Sequence, residues 1–274
     1  MEIRRILVDF EPDGFSPDLA QCAVQLALRF EAELVGFSAA MPWPITAGPD
    51  YTGIAATIYA EQRADLDKRL RALEEQFHAA VPAGVKASWQ QGIESPDRGL
   101  IAAGRSIDLA LMGPGSGISD AIMRAPDRAN IVLSLGRPVL FVGAGISHLS
   151  ADRVIVGWKD TRETRRAVVD ALPFLKAASA VMVCAVEEGD FATAKPSLQD
   201  ALNWMKSHDI NAIGDIVTKD GAGLGATLEK ARTDFRADLT VTGAYGHSRM
   251  REWLLGGMTE ELLETQRSNR FMSS

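Results

Sequence analysis

The sequence predicts an α/β fold in which two doubly wound parallel sheets follow one another along the chain. Three observations carry this. Short apolar runs without polar alternation (RVIVGW, AVMVCAV, NAIGDIVT, DLTVTG) are separated by amphipathic helical stretches, the pattern of parallel strands buried on both faces. The same order of elements occurs twice. Glycine follows the fourth strand of each copy, in LALMGPGSG and in LTVTGAYGH.

The repeat sets the organisation. RRILVDFEPDGFSPDLAQCAVQLALRFEAELVGFSA near the start matches DRVIVGWKDTRETRRAVVDALPFLKAASAVMVCAV near the middle. Further on, SIDLALMGPGSG (Ser106–Gly117) matches RADLTVTGAYGHS (Arg236–Ser248), each with an Asp-Leu strand start at Asp108 or Asp238. Repeats of this length are whole domains rather than solenoid units. Gly and Ser interrupt the pattern in VGAGISHLSAD (Val142–Asp152), so the expected domains are 1–148 and 149–274. The first copy carries an insertion, placed in the Pro- and Gly-rich MPWPITAGPDYTGI (Met41–Ile54), which is expected to be largely loop.

Each element has a local reason. In the first copy, Ala60–Ala80 reads as a helix with Leu66, Leu70, Leu73 and Phe77 on one core stripe. In the second, Thr161–Lys176 is expected to be helical, with Thr161 as N-cap and Glu163 at the positive end of the dipole. Pro196–Ser207 is expected to be a helix with proline in its first turn, and Leu224–Phe235 another. A last helix is expected to run from about Met258 to Gln266.

Composition bounds the function. Hydrophobic residues make up 46% of the 274 and charged residues 24%, as in a globular chain with a sizeable core. Lys and Arg number 29 against 36 Asp and Glu, a net charge of −7. That sign disfavours nucleic acid and anionic membranes and leaves room only for a local anion site. No apolar run approaches the length of a membrane span, and MEIRRILVDFEPD is neither a signal nor a transit peptide. Cys22 and Cys184 read as buried thiols. These features together point to the cytoplasm. The four histidines show no ligand spacing, and no metal site is expected. There is no GxSxG elbow and no GxxxxGK[ST] loop, so no catalytic residue is assigned.

Four glycines in VTGAYGHSRMREWLLGGMTEELLE (Val241–Glu264) need a reason. Gly243 and Gly246 follow a strand; Gly256 and Gly257 precede a helix. A helix N-terminus with unobstructed amides binds phosphate, and glycine lets phosphate approach the chain. Plain turns read equally well from the spacing alone.

The spacing of Gly243, Gly246 and Gly256, G-x2-G-x9-G on the fourth strand, resembles the nucleotide-binding signature of the universal stress protein family. The resemblance covers nearly the whole chain as two tandem copies. It implies a Rossmann-like fold of the adenine nucleotide alpha hydrolase kind and a role in stress response or signalling. It also implies an adenine nucleotide, ATP or else ADP or AMP, with Mg2+, and slow or no hydrolysis. On this reading Thr242, Gly243, Gly246 and His247 border the ribose and phosphates. Gly256, Gly257, Met258 and Thr259 supply amides, Gly157, Trp158 and Val186 flank the base, and Lys159 stands at the end of the first strand beside the nucleotide. The chain departs from the pattern at Gly257, where the family has Ser or Thr, and at Lys159, where it has Asp. In the first copy the same place falls on Glu11, Ser116 replaces the second glycine, and Asp9, Glu11 and Asp13 gather where phosphate would sit, so that copy is expected to be degenerate. The family also implies pairing of the two last strands, PVLFV (Pro138–Val142) with NRFMSS, as an intramolecular pseudo-dimer, or a homodimer of whole chains. The alternatives are a nucleotide-free tandem scaffold and a nucleotide hydrolase or transferase.

Overall fold

In the computed structural model the described residues are 2–45, 52–115, 123–187, 191–218, 223–244 and 267–274. Among these residues, ten strands form one sheet. In chain order they are β1 (Arg5–Asp9), β2 (Glu33–Ala39), β3 (Ala87–Gly92), β4 (Leu109–Met112), β5 (Val139–Phe141), β6 (Arg153–Trp158), β7 (Ala180–Glu187), β8 (Ala212–Thr218), β9 (Leu239–Gly243) and β10 (Arg270–Ser273). The order across the sheet is β3-β2-β1-β4-β5-β10-β9-β6-β7-β8. Read outward from its centre, each half has the same connectivity. All neighbours are parallel except the central pair, where β10 runs antiparallel to β5 and aligns Phe271 with Leu140.

The helices among the described residues are α1 (Pro17–Phe30), α2 (Thr52–Ala80), α3 (Pro96–Ala103), α4 (Arg128–Ser134), α5 (Arg162–Asp170), α6 (Leu172–Leu175), α7 (Phe191–Ser207) and α8 (Leu224–Phe235). One face of the sheet carries α1, α2 and α5–α7. Its apolar core runs unbroken through both halves, from Leu70 and Phe77 on α2 to Leu198 and Met205 on α7. The other face is covered by α3 and α4 in the first half and by α8 in the second. Strand residues alternate strictly between these layers: Val154 and Val156 face the first, Ile155 and Cys184 the second. Leu66, Leu70, Leu73 and Phe77 are all buried, as their spacing predicts.

One side chain does the same work in each half. Asp108 accepts the amides of Arg4 and Arg5 at 2.8 and 2.9 Å, while its own amide donates to the Arg5 carbonyl. Asp238 accepts the amides of Asp152 and Arg153, both at 3.1 Å, and its amide donates to the Arg153 carbonyl at 2.9 Å. A carboxylate at the start of the fourth strand thus fixes the register of the first.

Three helix boundaries differ from expectation. Thr161 does cap α5, accepting from Thr164 N at 3.3 Å. The expected single helix, however, divides at Ala171 into α5 and α6. Pro173 has no amide to continue the ladder. Helix α7 begins at Phe191, so Pro196 lies in its interior. Next to it, Ser197 Oγ donates to the Ala194 carbonyl at 3.1 Å. Helix α2 starts at Thr52, before Ala60 and inside the stretch expected to be loop. Its first turns carry exposed Ile54, Ile58 and Tyr59, so no buried stripe marks them in the sequence.

The central seam is short and heavily buried. Every residue of β10 is buried, Arg270 included. Burial pulls the Arg270 guanidinium down to about 10. Phe174 packs edge-on against Phe30 at 5.3 Å and against Phe271 at 5.8 Å, which ties α1 to α6 and β10. Asn269 spans the halves: its Oδ1 accepts from Gly143 N at 3.0 Å and its Nδ2 donates to the Asp238 carbonyl at 3.0 Å. Gly143 has no room for a side chain, since a Cβ would lie 3.0 Å from the backbone of Arg267 and Ser268. Asn269→Ala leaves one amide and one carbonyl unpaired at this seam. It is expected to lower stability by about 2 kcal/mol or more in urea unfolding, whereas Asn203→Ala on the exposed face of α7 should change it by less than about 0.5 kcal/mol.

Candidate functional site

Strands β6 and β9 are neighbours, with Gly157 opposite Thr242. Strand β7, which follows β6 in the chain, lies on the other side of it. The crevice between the carboxyl ends of β6 and β9 is therefore the topological switch point, where open α/β sheets bind ligands. Gly157, Trp158, Lys159, Thr242 and Gly243 all sit at these two strand ends, and Val186 near the end of β7. Gly246, His247, Gly256, Gly257, Met258 and Thr259 lie outside the described residues, as does the helix expected after them.

The two glycines have packing reasons of their own. A Cβ on Gly243 would meet Thr164 N at 2.4 Å and Glu163 C at 2.6 Å, backbone atoms of the first turn of α5. The bare strand end lets the N-terminus of α5 settle directly onto β9. At Gly157 a Cβ would meet Leu228 Cδ2 at 2.8 Å, so here the glycine admits α8.

Trp158 and Val186 face opposite sides of the sheet. Val186 packs with Ile155 and Leu228 beneath α8. The Trp158 indole turns towards α7, its Nε1 donating to Ser197 Oγ at 3.4 Å. It lines a groove of about 420 Å³ between α5 and α7 that also exposes Trp204 and Val169. Lys159 is exposed at the end of β6. Asp160 beside it pairs with Arg165 at 3.5 Å, which moderates the carboxylate next to the crevice. Thr242 is buried and its Oγ1 has no hydrogen-bond partner among the described residues. The basic side of α5 is largely self-neutralised: Arg162 pairs with Glu163 and Arg166 with Asp170.

The corresponding crevice of the first half, between the ends of β1 and β4, has the opposite character. Its lining includes Asp9, Glu11 and Arg128. Burial pushes the Asp9 carboxyl up to about 7; Glu11 adds to the rise, Arg128 opposes it, and Asp97 adds a smaller push. The Arg128 side chain donates to the Gly113 carbonyl. The sequence places Glu11 at the family's aspartate position and gives Asp9 no separate role. The available signal was an aspartate ending the run ILVD with no polar residue before it.

Cys22 and Cys184 are free and buried. Burial raises their thiols to about 11 and about 12, the second helped by Asp215, so neither is a thiolate near neutrality. Among the described residues no three His, Cys, Asp or Glu side chains converge on a metal position, and no helix is long and apolar enough to cross a membrane.

A universal stress protein from Archaeoglobus fulgidus superposes with a TM-score of 0.71 at 17% identity, over 100% of this chain and 97% of that one. The chain has the fold of the universal stress proteins. A putative universal stress protein from Pseudomonas aeruginosa matches at a TM-score of 0.62 and 16% identity over 99% of this chain and 93% of its own. A protein of unknown function from the same species matches at 0.60 and 15%, over 99% and 92%. No family profile matches the sequence, and no curated protein matches it. The likeness is thus one of architecture, and it extends along the full chain.

Two outcomes follow for stability. Gly243→Ala is expected to cost about 1–3 kcal/mol by overpacking against α5, without any ligand added; a glycine kept only for ligand approach would leave the ligand-free protein unchanged. Asp9 has its folded value raised from 3.8 to about 7. Its contribution is therefore fully present below about pH 4 and is lost as pH rises to about 7. Wild type measured against Asp9→Asn should show a stability difference that drifts by a few kcal/mol over that window, and by nothing above it.

Proposed function

We propose that the chain is a tandem universal stress protein that binds an adenine nucleotide, ATP with Mg2+ on its phosphates, at the carboxyl edge of its second half. The observation that carries this reading is the β6–β9 switch point. It brings Gly157, Trp158 and Lys159 beside Thr242 and Gly243, at the head of the G-x2-G-x9-G run. Lys159 offers a positive charge at the end of β6, and Thr242 Oγ1 is a buried hydroxyl without a partner among the described residues. These fit a polyanion with a ribose. Gly243, Gly246 and Gly256 with Gly257, Met258 and Thr259 would line the phosphate path, His247 would stand beside it, and Val186 would border the base.

Domains 1–148 and 149–274 act on this reading as an intramolecular pseudo-dimer, joined through β5 and β10. The protein works in the cytoplasm in a stress response, as a nucleotide-dependent signalling or association module with little hydrolysis. The close packing of Gly243 against α5 favours a second reading, a nucleotide-free scaffold that keeps its glycines for packing.

Calorimetry with Mg2+ and ATP separates them. Micromolar binding is expected, weakened about tenfold in Lys159→Ala and abolished in the double variant Gly246→Val with Gly256→Val while the circular dichroism spectrum is retained. Absence of binding by the wild-type protein would leave the scaffold.

A further inference from the structure

The internal repeat allows the two halves to be matched position by position. Asp108 accepts the amide of Arg5, and Asp238 accepts the amide of Arg153 in the same way. Counted from those residues, Phe10 in the first half corresponds to Trp158 in the second. Phe10 is sealed, at 2% exposure. The Phe15 ring stacks on it, with centroids 5.0 Å apart and planes at 18°. Phe77 and Trp89 pack against it as well, at 6.0 and 6.2 Å. Phe15 directly precedes Ser16, the N-cap of α1.

The second half has no such ring before its cap. The residue directly before Thr161, the N-cap of α5, is Asp160. Its side chain is exposed and pairs with Arg165 at 3.5 Å. Trp158 is therefore only half-buried, and it borders the open groove of about 420 Å³ between α5 and α7. Val168, Ala201 and Met205 give the groove an apolar floor. Trp204 on α7 also lines it, with its ring set against His208 at 4.2 Å. Ser197 Oγ accepts from Trp158 Nε1 and donates to the Ala194 carbonyl, which fixes the edge of the indole.

This lining selects a chemistry. A groove of this volume is the size of a small-molecule site. Two indoles favour a flat aromatic ring, whose stacking adds to the gain from burial alone. Asp160 and Asp200 bring exposed carboxylates to the groove. An ionised carboxylate only accepts hydrogen bonds, and it has room for more than one donor. Arg165 Nε is directed at the Thr161 carbonyl. A ring N–H is met at the carboxylates. The acceptor nitrogens of a purine would face the apolar floor unpaired, which costs binding.

We infer that the groove between α5 and α7 binds a flat, largely apolar aromatic molecule with an N–H donor, of the indole class. Its ring is seated on Trp158 as Phe15 is seated on Phe10 in the first half. The nucleotide reading concerns the crevice at the ends of β6 and β9. This groove lies on the helix-covered side of the sheet, and its occupancy does not depend on that reading.

The test uses the full chain and indole as probe, followed by NMR through the Nε1–H signals of Trp158 and Trp204, with cyclohexanol and adenosine as comparisons. Saturation of both signals is expected at about 0.1–1 mM indole, with none by cyclohexanol or adenosine over the same range. Asp160→Phe gives the second half the aromatic residue that precedes the cap in the first. By occupying the groove it is expected to weaken indole binding at least about tenfold. Trp204→Ala should weaken it about tenfold. Asp160 is exposed, so its variant carries the test if Trp204→Ala fails to fold. The proposal is overturned if indole shows no saturation in the millimolar range, if cyclohexanol binds as tightly, if adenosine or ATP displaces indole, or if Asp160→Phe or a folded Trp204→Ala binds indole like wild type.

Discussion

The antiparallel pairing of β5 with β10 is the contact on which the rest of the structure depends. Strand β10 has four residues, and it pairs on one side with β9 and on the other with β5. Without the β5–β10 pairing, two five-strand arrangements would each end on an open edge. With it, the apolar layer beneath α1, α2 and α5–α7 continues from one half to the other. Asn269 reinforces the seam with a side chain that accepts from the first half and donates to the second. Ser273 and Ser274 extend the tie, bonding to Asp170 on α5 and to the Val132 carbonyl on α4.

From this shared frame the two crevices diverge. Asp108 and Asp238 hold the first strand of each half in the same register, so the strand ends arrive at equivalent places. The chemistry at those ends does not match. At the end of β1 stand Asp9 and Glu11; at the end of β6 stand Trp158 and Lys159. The same backbone thus carries a buried and a half-buried carboxylate in one half and an exposed lysine in the other. In physical terms, register follows from apolar alternation and the paired aspartates, while the charge at each crevice comes from a few residues at and just past the strand ends.

Much of the architecture was legible in the sequence. The strands of the second half and the extent of α8 follow from unbroken apolar runs and helical periodicity, and the Leu66–Phe77 stripe from its spacing. What was not legible has identifiable causes. The first turns of α2 have no buried face, so periodicity gives no warning of them. Pro196 looks like a helix start, yet the helix extends before it. NRFMSS reads as a weak strand because Asn269, Arg270 and Ser273 are polar, although all three are buried; their partners come from far away in the chain. At the candidate site, Gly243 was legible as a point of close approach, but the approaching group in the structure is the backbone of α5. The environment of Asp9 depends on Arg128 and Asp97 from distant elements, which no local pattern reveals.

The central claim is that one continuous sheet makes the two halves a single cooperative unit. Native-state hydrogen exchange in increasing denaturant tests it most directly, through the amides of Leu140 on β5, Phe271 on β10 and Val183 on β7. The account requires all three to converge on one opening free energy, that of global unfolding. Exchange of Val183 through an opening that leaves Leu140 protected, with Phe271 opening alongside either half alone, would contradict it.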